Sequence, residues 1–218
     1  MRPKIAVCLL TCNREAYTAR TLDSFTRHNG GDDRFVLLHG DDASESTENL
    51  DLAHAHGFST VAHNGQRRGW LETRTALFRR AAKLSLNWVL LLENDIETLR
   101  PFPWPLFDAI RRDKEIYCLR LYGRFKDAAR KEKCLETHKR RGHMAVRWRP
   151  WRDAPEASQV GRIHWSAQPA VTRLDDLIDH HKRGIEPDGL TVRVKKNVMS
   201  HFGIERTAPM EMPEQAVA

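Results

Sequence analysis

Four short polar stretches hold the residues whose types and spacing suit chemistry. They are Thr11-Cys12-Asn13-Arg14, Asp41-Asp42, Asn64 to Gly69, and Glu93-Asn94-Asp95, and each follows an apolar run. The last is the most pointed, because Trp88-Val89-Leu90-Leu91-Leu92 ends directly in Glu-x-Asp. On an extended chain that spacing puts both carboxylates on one side. Paired carboxylates suit a hard divalent cation, which binds through one or two of them and completes its shell with substrate phosphates. A solvated turn at a strand end would use the same residues without a ligand. No GxGxxG follows the first apolar run and no GxxxxGK[ST] occurs, so a dinucleotide fingerprint and a P-loop are disfavoured. A phosphate would have to be held another way.

The surrounding pattern places these stretches at one end of a sheet. Lys4–Leu10 reads as a buried strand and Ala16–Arg27 as a helix with Leu22 and Phe25 inward. Arg34–Leu38 is a second strand, and the cap-type residues Ser44, Glu45 and Ser46 open a helix to about Ala55. Ser59–Ala62 is a third strand, Trp70–Leu84 a helix with Leu71, Leu77, Ala81 and Leu84 apolar, and Trp88–Leu92 a fourth strand. This alternation predicts an α/β fold with a mostly parallel sheet and helices on both faces. Ligands of such sheets bind at the carboxyl ends of the strands, where all four polar stretches fall.

Past residue 100 the pattern changes. Pro101, Pro103 and Pro105 break the chain, Asp108–Lys114 suggests a short helix, and Ile116–Leu121 a fifth strand. Residues 122–152 show little periodicity. A helix from about Thr172 to Lys182 places Leu174, Leu177 and Ile178 on one face, with Gly184 as its stop, and Leu190–Val194 reads as a strand. Residues 1–203 are expected to form one domain, with the ligand end in 1–100 and a second half in 101–203, and 204–218 a loose tail.

Composition narrows the class. With 218 residues, 40% hydrophobic and 30% charged, the chain is neither disordered nor, lacking an 18-residue apolar stretch, suited to stable membrane insertion. The apolar run Ile5–Leu10 is too short for a signal-peptide core. Cys8, Cys12, Cys118 and Cys134 form no CxxC pair, which suggests reduced thiols and a cytoplasmic protein. The net charge of +7 is uneven: residues 111–152 hold fifteen Lys or Arg against five Asp or Glu. That local excess of ten exceeds the whole and points to an anionic partner.

The residues resemble the GT-A glycosyltransferases, in particular the family 2 group that uses nucleotide-diphosphate sugars. Ile5–Arg14 resembles the family's first strand and its T-x-N-R stretch. Asp41-Asp42-Ala43-Ser44 is similar to its D-D-x-S segment, and Asn64 to Trp70 to the loop and helix that precede the metal motif. Leu90–Asp95 resembles the strand ending in D-x-D, with Glu93 as a departure at the first carboxylate, and Ser200-His201-Phe202-Gly203 resembles the family's late histidine. The likeness is good over residues 3–100 and holds only at isolated points beyond. Each motif is weak alone, but their order and their places at strand ends make the set specific.

The resemblance implies roles. Asp95 and His201 would bind Mn²⁺ or Mg²⁺, and Glu93 would face the ribose or a metal-bound water. Asp42, with Asp41 as the alternate, would accept a hydrogen bond from the nucleobase of a donor, most simply a UDP-sugar. Thr11, Asn13 and Arg14 would line the same pocket, and Arg67 and Arg68 would meet the diphosphate. Helix capping is the competing account of Asp41 and Asp42, and a merely exposed or core-satisfied histidine that of His201. An inverting transfer also needs a carboxylate base at a helix start, for which Asp176 and then Asp175 are the candidates, although a local cap fits Asp175 as well. A retaining transfer needs no such base, and Gln168 would then lie near the sugar.

The basic stretch supplies an acceptor side. Arg124, Arg147, Trp148, Arg149, Trp151 and Arg152 combine cations for phosphates with aromatic faces for bases, and Trp165 is placed with them. Pro150 in the centre of Arg147–Arg152 argues against an amphipathic membrane helix. The combination resembles phage-type enzymes that glycosylate hydroxylated or hydroxymethylated pyrimidines in DNA, in which Trp148 or Trp151 would fill the gap left by an extruded base. Two alternatives stay open: a glycosyltransferase for bacterial surface polysaccharide or lipopolysaccharide, and a nucleic-acid-binding protein on the same core without catalysis.

Overall fold

In the computed structural model, residues 2–121, 157–161, 169–183, 190–194 and 197–201 are described. The first half runs β1 (Ile5–Thr11), α1 (Glu15–Asn29), β2 (Phe35–Asp41), α2 (Glu48–Ala55), β3 (Ser59–His63), α3 (Trp70–Lys83) and β4 (Trp88–Glu93). The second adds β5 (Ile96–Thr98), α4 (Trp104–Ile110), β6 (Ile116–Arg120), β7 (Ala157–Gly161), β8 (Ala170–Arg173), α5 (Leu174–Arg183), β9 (Leu190–Val194) and β10 (Met199–His201). Among the described residues eight strands share one sheet in the order β3-β2-β1-β4-β8-β6-β9-β7, and β10 pairs with β5 in a separate ribbon. Pairing is parallel from β3 through β4, while β8 runs antiparallel to both β4 and β6. The fold is the α/β architecture with a mostly parallel sheet that the alternation predicts.

The central strand shows why its hydropathy is continuous rather than alternating. Ile5, Val7 and Leu9 pack with Leu22 and Phe25 of α1, Ala53 of α2 and Phe107 of α4. Ala6, Cys8 and Leu10 face the other way, toward Leu77, Phe78 and Ala81 of α3 and Leu174 and Leu177 of α5. Both faces are covered, so every residue from Ile5 to Leu10 is buried. Truncating one of these leucines to Ala would cost about 2–5 kcal/mol.

Several elements differ from the sequence-based expectation. The short helix lies over Trp104–Ile110 rather than Asp108–Lys114, because Pro105 sits in the first turn, where no N–H is needed, and Leu106, Phe107 and Ile110 supply a buried face. Thr172 is a buried strand residue, and α5 begins two residues later, where the Leu174 N–H donates to the Asn87 carbonyl. The inward stripe of α3 is Thr73, Arg74, Leu77, Phe78 and Ala81, leaving Leu71 and Leu84 exposed although their apolar character suggests otherwise. Expectations that fall on 122–156, 162–168, 184–189 and 202–218 lie outside the described residues.

Candidate active site

From β1 the chain winds outward through β2 to β3, and α3 then carries it back across the sheet to β4 on the other side of β1. That reversal opens a crevice between the carboxyl ends of β1 and β4, the usual place for a ligand in an open α/β sheet. The register sets Thr11 beside Asp41 and Leu10 beside Glu93. The polar stretches that follow β1, β2 and β4 therefore meet at one edge. Backbone strain collects there too: Asn13 (φ 51°), Arg14 (φ 60°) and Ala43 (φ 59°) are three of the four non-glycine residues with positive φ among the described residues. Each such conformation costs about 1–2 kcal/mol, and strain of this kind clusters at functional sites.

Asp41 is buried and organises the loops. Its Oδ2 accepts from the Thr11 hydroxyl (2.7 Å) and the Ser44 hydroxyl (2.6 Å), its Oδ1 accepts from the Ser44 N–H (2.8 Å), and His63 Nδ1 lies 3.6 Å from Oδ1. Ser44 in turn accepts from the Asn13 N–H and from Asn49, tying the loop after β2 to the loop after β1. Asn13 spends its side chain on the Glu45 N–H (2.8 Å), and its carbonyl accepts from Asn49 and from Asn94 beside the carboxylate pair. Thr11, Asn13 and Asp41 thus act as scaffold for the crevice, through side-chain atoms already committed to neighbouring loops.

His39 extends this scaffold across the sheet. Thr11 has one hydroxyl proton and gives it to Asp41, so its oxygen accepts from His39 Nε2 at 2.8 Å. With the proton on Nε2, Nδ1 accepts from the Thr60 hydroxyl (3.1 Å), which itself accepts from His54 Nε2 (3.1 Å). Burial pushes His39 down to about 4 against the pull of Asp41, which keeps the ring neutral and in that single tautomer near neutral pH. A histidine at the end of an otherwise apolar strand is the sequence signal that marks this residue.

Asp42 is arranged differently. It is also buried, but Oδ1 takes the Arg68 N–H (2.9 Å), the Gly69 N–H (3.2 Å), Asn64 Nδ2 (3.3 Å) and the Thr73 hydroxyl (3.4 Å), whereas Oδ2 takes none of these donors. Two glycines permit the clamp. Gly69 (φ 89°) turns the chain so that its N–H reaches the carboxylate. At Gly40 a Cβ would come within 2.7 Å of Thr73 Cγ2, so only glycine lets α3 approach β2 this closely. Arg68 contributes here through its backbone, while its guanidinium pairs with Glu72 on the exposed side of α3 (2.9 Å) and not with the crevice. Cys12 lies among these groups: burial raises its thiol pKa, Arg67 and Arg14 pull it down, and Asp42 and Asp41 push it up.

The carboxylate pair closes the other side. Glu93 is the last residue of β4, Asp95 follows in the turn, and both are half-buried. In the β5–β10 ribbon His201 is the backbone partner of Ile96, one residue from Asp95. Among the described residues no three His, Cys, Asp or Glu side chains form a metal cluster by themselves. Two hard oxygen donors at a strand end fit Mg²⁺ or Mn²⁺ when substrate phosphates supply the remaining positions.

Arg74 is the functional candidate that motif reading misses. It is buried on the inner stripe of α3, and burial lowers its pKa to about 9 against the opposing field of Glu93. The sequence does carry a signal, a Thr-Arg pair on a helical stripe that Leu77, Phe78 and Ala81 otherwise keep apolar.

The structure does not bring Asp175 and Asp176 to this end. β8 runs antiparallel to β4 with Arg173 opposite Trp88, and Leu174 bonds to Asn87, so α5 starts at the amino end of β4. Glu93 is five residues further along that strand, about 16 Å away at the rise of a β-strand. Their place at a helix start suggests a base, but β8 runs antiparallel to β4 and sets that helix start at the opposite end of the strand. Arg124, Arg147, Trp148, Arg149, Trp151, Arg152, Trp165 and Gln168 lie outside the described residues.

The sequence model of glycosyl transferase family 2 matches residues 6–164, well over half of the chain. The chain belongs to this family. No curated protein sequence matches the family 2 chain significantly. Among solved structures it is similar to Staphylococcus aureus TarS residues 1–349, with a TM-score of 0.59 and 15% identity over 90% of this chain and 59% of that one. It is also similar to a mycobacterial protein, with a TM-score of 0.52 and 16% identity over 95% of this chain and 69% of that one. A third match is TarS 1–349 in complex with UDP, with a TM-score of 0.50 and 17% identity over 81% and 48%. At these identities the likeness is one of fold, and the family 2 chain spans less than two thirds of the TarS chains. None of the three supports the DNA-modifying subgroup.

Proposed function

We propose that this chain transfers a sugar from a nucleotide-diphosphate sugar to a hydroxyl acceptor, with residues 1–203 as its catalytic domain. The observation that carries this reading is the meeting of a clamped Asp42 and the Glu93-x-Asp95 pair at the switch point of a family 2 fold. Asp42 holds the nucleobase edge through the oxygen outside its clamp. Asp95 and Glu93, with His201 from the neighbouring ribbon strand, would hold Mn²⁺ or Mg²⁺. Bound there, the cation would supply Lewis-acid stabilisation of the charge on a departing nucleoside diphosphate. Arg67 and the buried Arg74 add positive charge on the same side, and the Asp41, Ser44 and Asn13 network fixes the loops before substrate arrives.

The UDP held by the TarS structure of the same fold supports a UDP-sugar as donor. The acceptor we propose is DNA bearing hydroxylated or hydroxymethylated pyrimidine, on the strength of the excess of ten positive charges in residues 111–152. Among the described residues no helix is long and apolar enough to cross a membrane. A cytoplasmic site of action is part of the same proposal, in keeping with the free thiols of Cys8, Cys12 and Cys118.

A donor screen tests this directly. UDP- and GDP-sugars are incubated with Mn²⁺, with and without DNA containing hydroxymethylated cytosine or uracil, or a surface polysaccharide. Stimulation of sugar release by modified DNA alone supports the proposal. Stimulation by the polysaccharide alone moves the acceptor to glycan, and tight DNA binding without consumption of any nucleotide sugar supports a non-catalytic binder.

A further inference from the structure

Positions 70, 73, 74, 77, 78 and 81 lie on one face of α3, the face turned to the sheet. Thr73, Arg74, Leu77, Phe78 and Ala81 are all buried, whereas Trp70, the first residue of the same stripe, is 52% exposed. Its position explains the exception. The preceding residues Arg68 and Gly69 give their N–H groups to Asp42, so the helix starts at the carboxyl ends of the strands and its first turn overhangs the crevice. The Arg74 guanidinium lies 3.9 Å from the centroid of the indole and is also within the field of Glu93. Trp70 is therefore an exposed aromatic surface next in sequence to the Asp42 clamp, with a cation on one face.

We propose that Trp70 is the stacking wall of the nucleobase subsite, so that the base of the donor lies against the indole while Asp42 reads its edge. This rests on the donor reading above. The donor is the occupant favoured by position, because the ring stands one residue from the groups that clamp Asp42. A large indole on a core-facing stripe leaves apolar area in water until a flat surface covers it, and a nucleobase is such a surface. Every base has a π-face, so stacking adds affinity without choosing among bases. Selection between uracil and guanine then falls to Asp42, and Trp70 sets how tightly either is held.

Calorimetric binding of UDP, GDP and inorganic pyrophosphate in Mn²⁺ tests this on the full chain and on Trp70→Phe, Trp70→Ala and Asp42→Ala, with thermal melts alongside. Trp70→Ala is expected to weaken UDP and GDP alike by about tenfold or more, the scale of one lost base stack, and Trp70→Phe by less than about threefold. Pyrophosphate, which lacks the base, should bind the unaltered chain, Trp70→Phe and Trp70→Ala equally. Unchanged UDP and GDP affinity in Trp70→Ala overturns the stacking role, and so does an equal loss for pyrophosphate, which would mark a structural residue. If Asp42→Ala weakens both nucleotides while Trp70→Ala does not, the stacking wall fails and the donor site stands. If the unaltered chain binds neither nucleotide, or Asp42→Ala changes nothing, the donor reading fails and takes the wall with it.

Discussion

Arg74 lies buried in α3, 1% exposed, within the field of Glu93 at the end of β4, and that carboxylate offsets part of the burial that lowers the arginine's pKa to about 9. Packing alone has no need of a charge there, since an apolar side chain of similar volume would fill the stripe at lower cost. Glu93 is half-buried and keeps some access to water, so it tolerates losing the nearby positive charge. Arg74→Met is therefore expected to keep or raise the melting temperature while kcat/KM for the nucleotide sugar falls by about tenfold or more. A thermal melt and steady-state kinetics on one preparation check both halves.

The two adjacent aspartates should separate in the same way. Asp41 spends both oxygens on Thr11 and Ser44, whereas the clamp on Asp42 addresses only Oδ1. Asp41→Ala leaves buried donors without an acceptor and should cost about 2–3 kcal/mol of stability. Asp42→Asn keeps an acceptor oxygen for the clamp and should melt close to the unaltered chain while losing nucleotide affinity. Chemical denaturation paired with nucleotide titration distinguishes them.

His39 gives the protein an acid-sensitive term. Its folded pKa is about 4 against an unfolded value of 6.5, so the unfolded chain takes up the proton first as pH falls. The stability tied to the neutral ring is complete above about pH 6.5 and is lost as pH drops to about 4, up to about 3 kcal/mol in all. In His39→Gln this part of the acid slope should vanish. Unfolding free energies measured at intervals from pH 7 to pH 4 for both proteins give the comparison.

Much of the first half was legible because buried parallel strands make continuous apolar runs and their polar exits mark one edge. The places of Thr11, Asp41, Asp42, Glu93 and Asp95 at strand ends are legible that way, but their bonding is not: that Asp41 and Asn13 are consumed by Ser44, Glu45 and Asn49 depends on how loops far apart in sequence meet. His39 and Arg74 escaped because each looks like one polar residue within an otherwise apolar element. Asp175 and Asp176 mark a helix start in the sequence, but which end of the sheet that start faces depends on β8 running against β4, which local pattern does not carry.

That geometry gives its own test. With α5 starting at the amino end of β4, neither carboxylate reaches the crevice. Asp175→Asn and Asp176→Asn should each keep kcat within about twofold, since exposed or partly exposed changes away from a site act weakly. A large loss of kcat with KM unchanged in either variant would return that residue to the chemistry.

The most direct measurement is sugar transfer by the unaltered chain and by Asp95→Ala, with a UDP- or GDP-sugar donor in Mn²⁺ and again after chelation with EDTA. A metal site built on Glu93 and Asp95 at the strand end predicts turnover that disappears in Asp95→Ala and on chelation, returns when Mn²⁺ is restored to the unaltered chain, and leaves the melting temperature of the variant near that of the unaltered chain. Transfer that survives both the substitution and the chelator would contradict it.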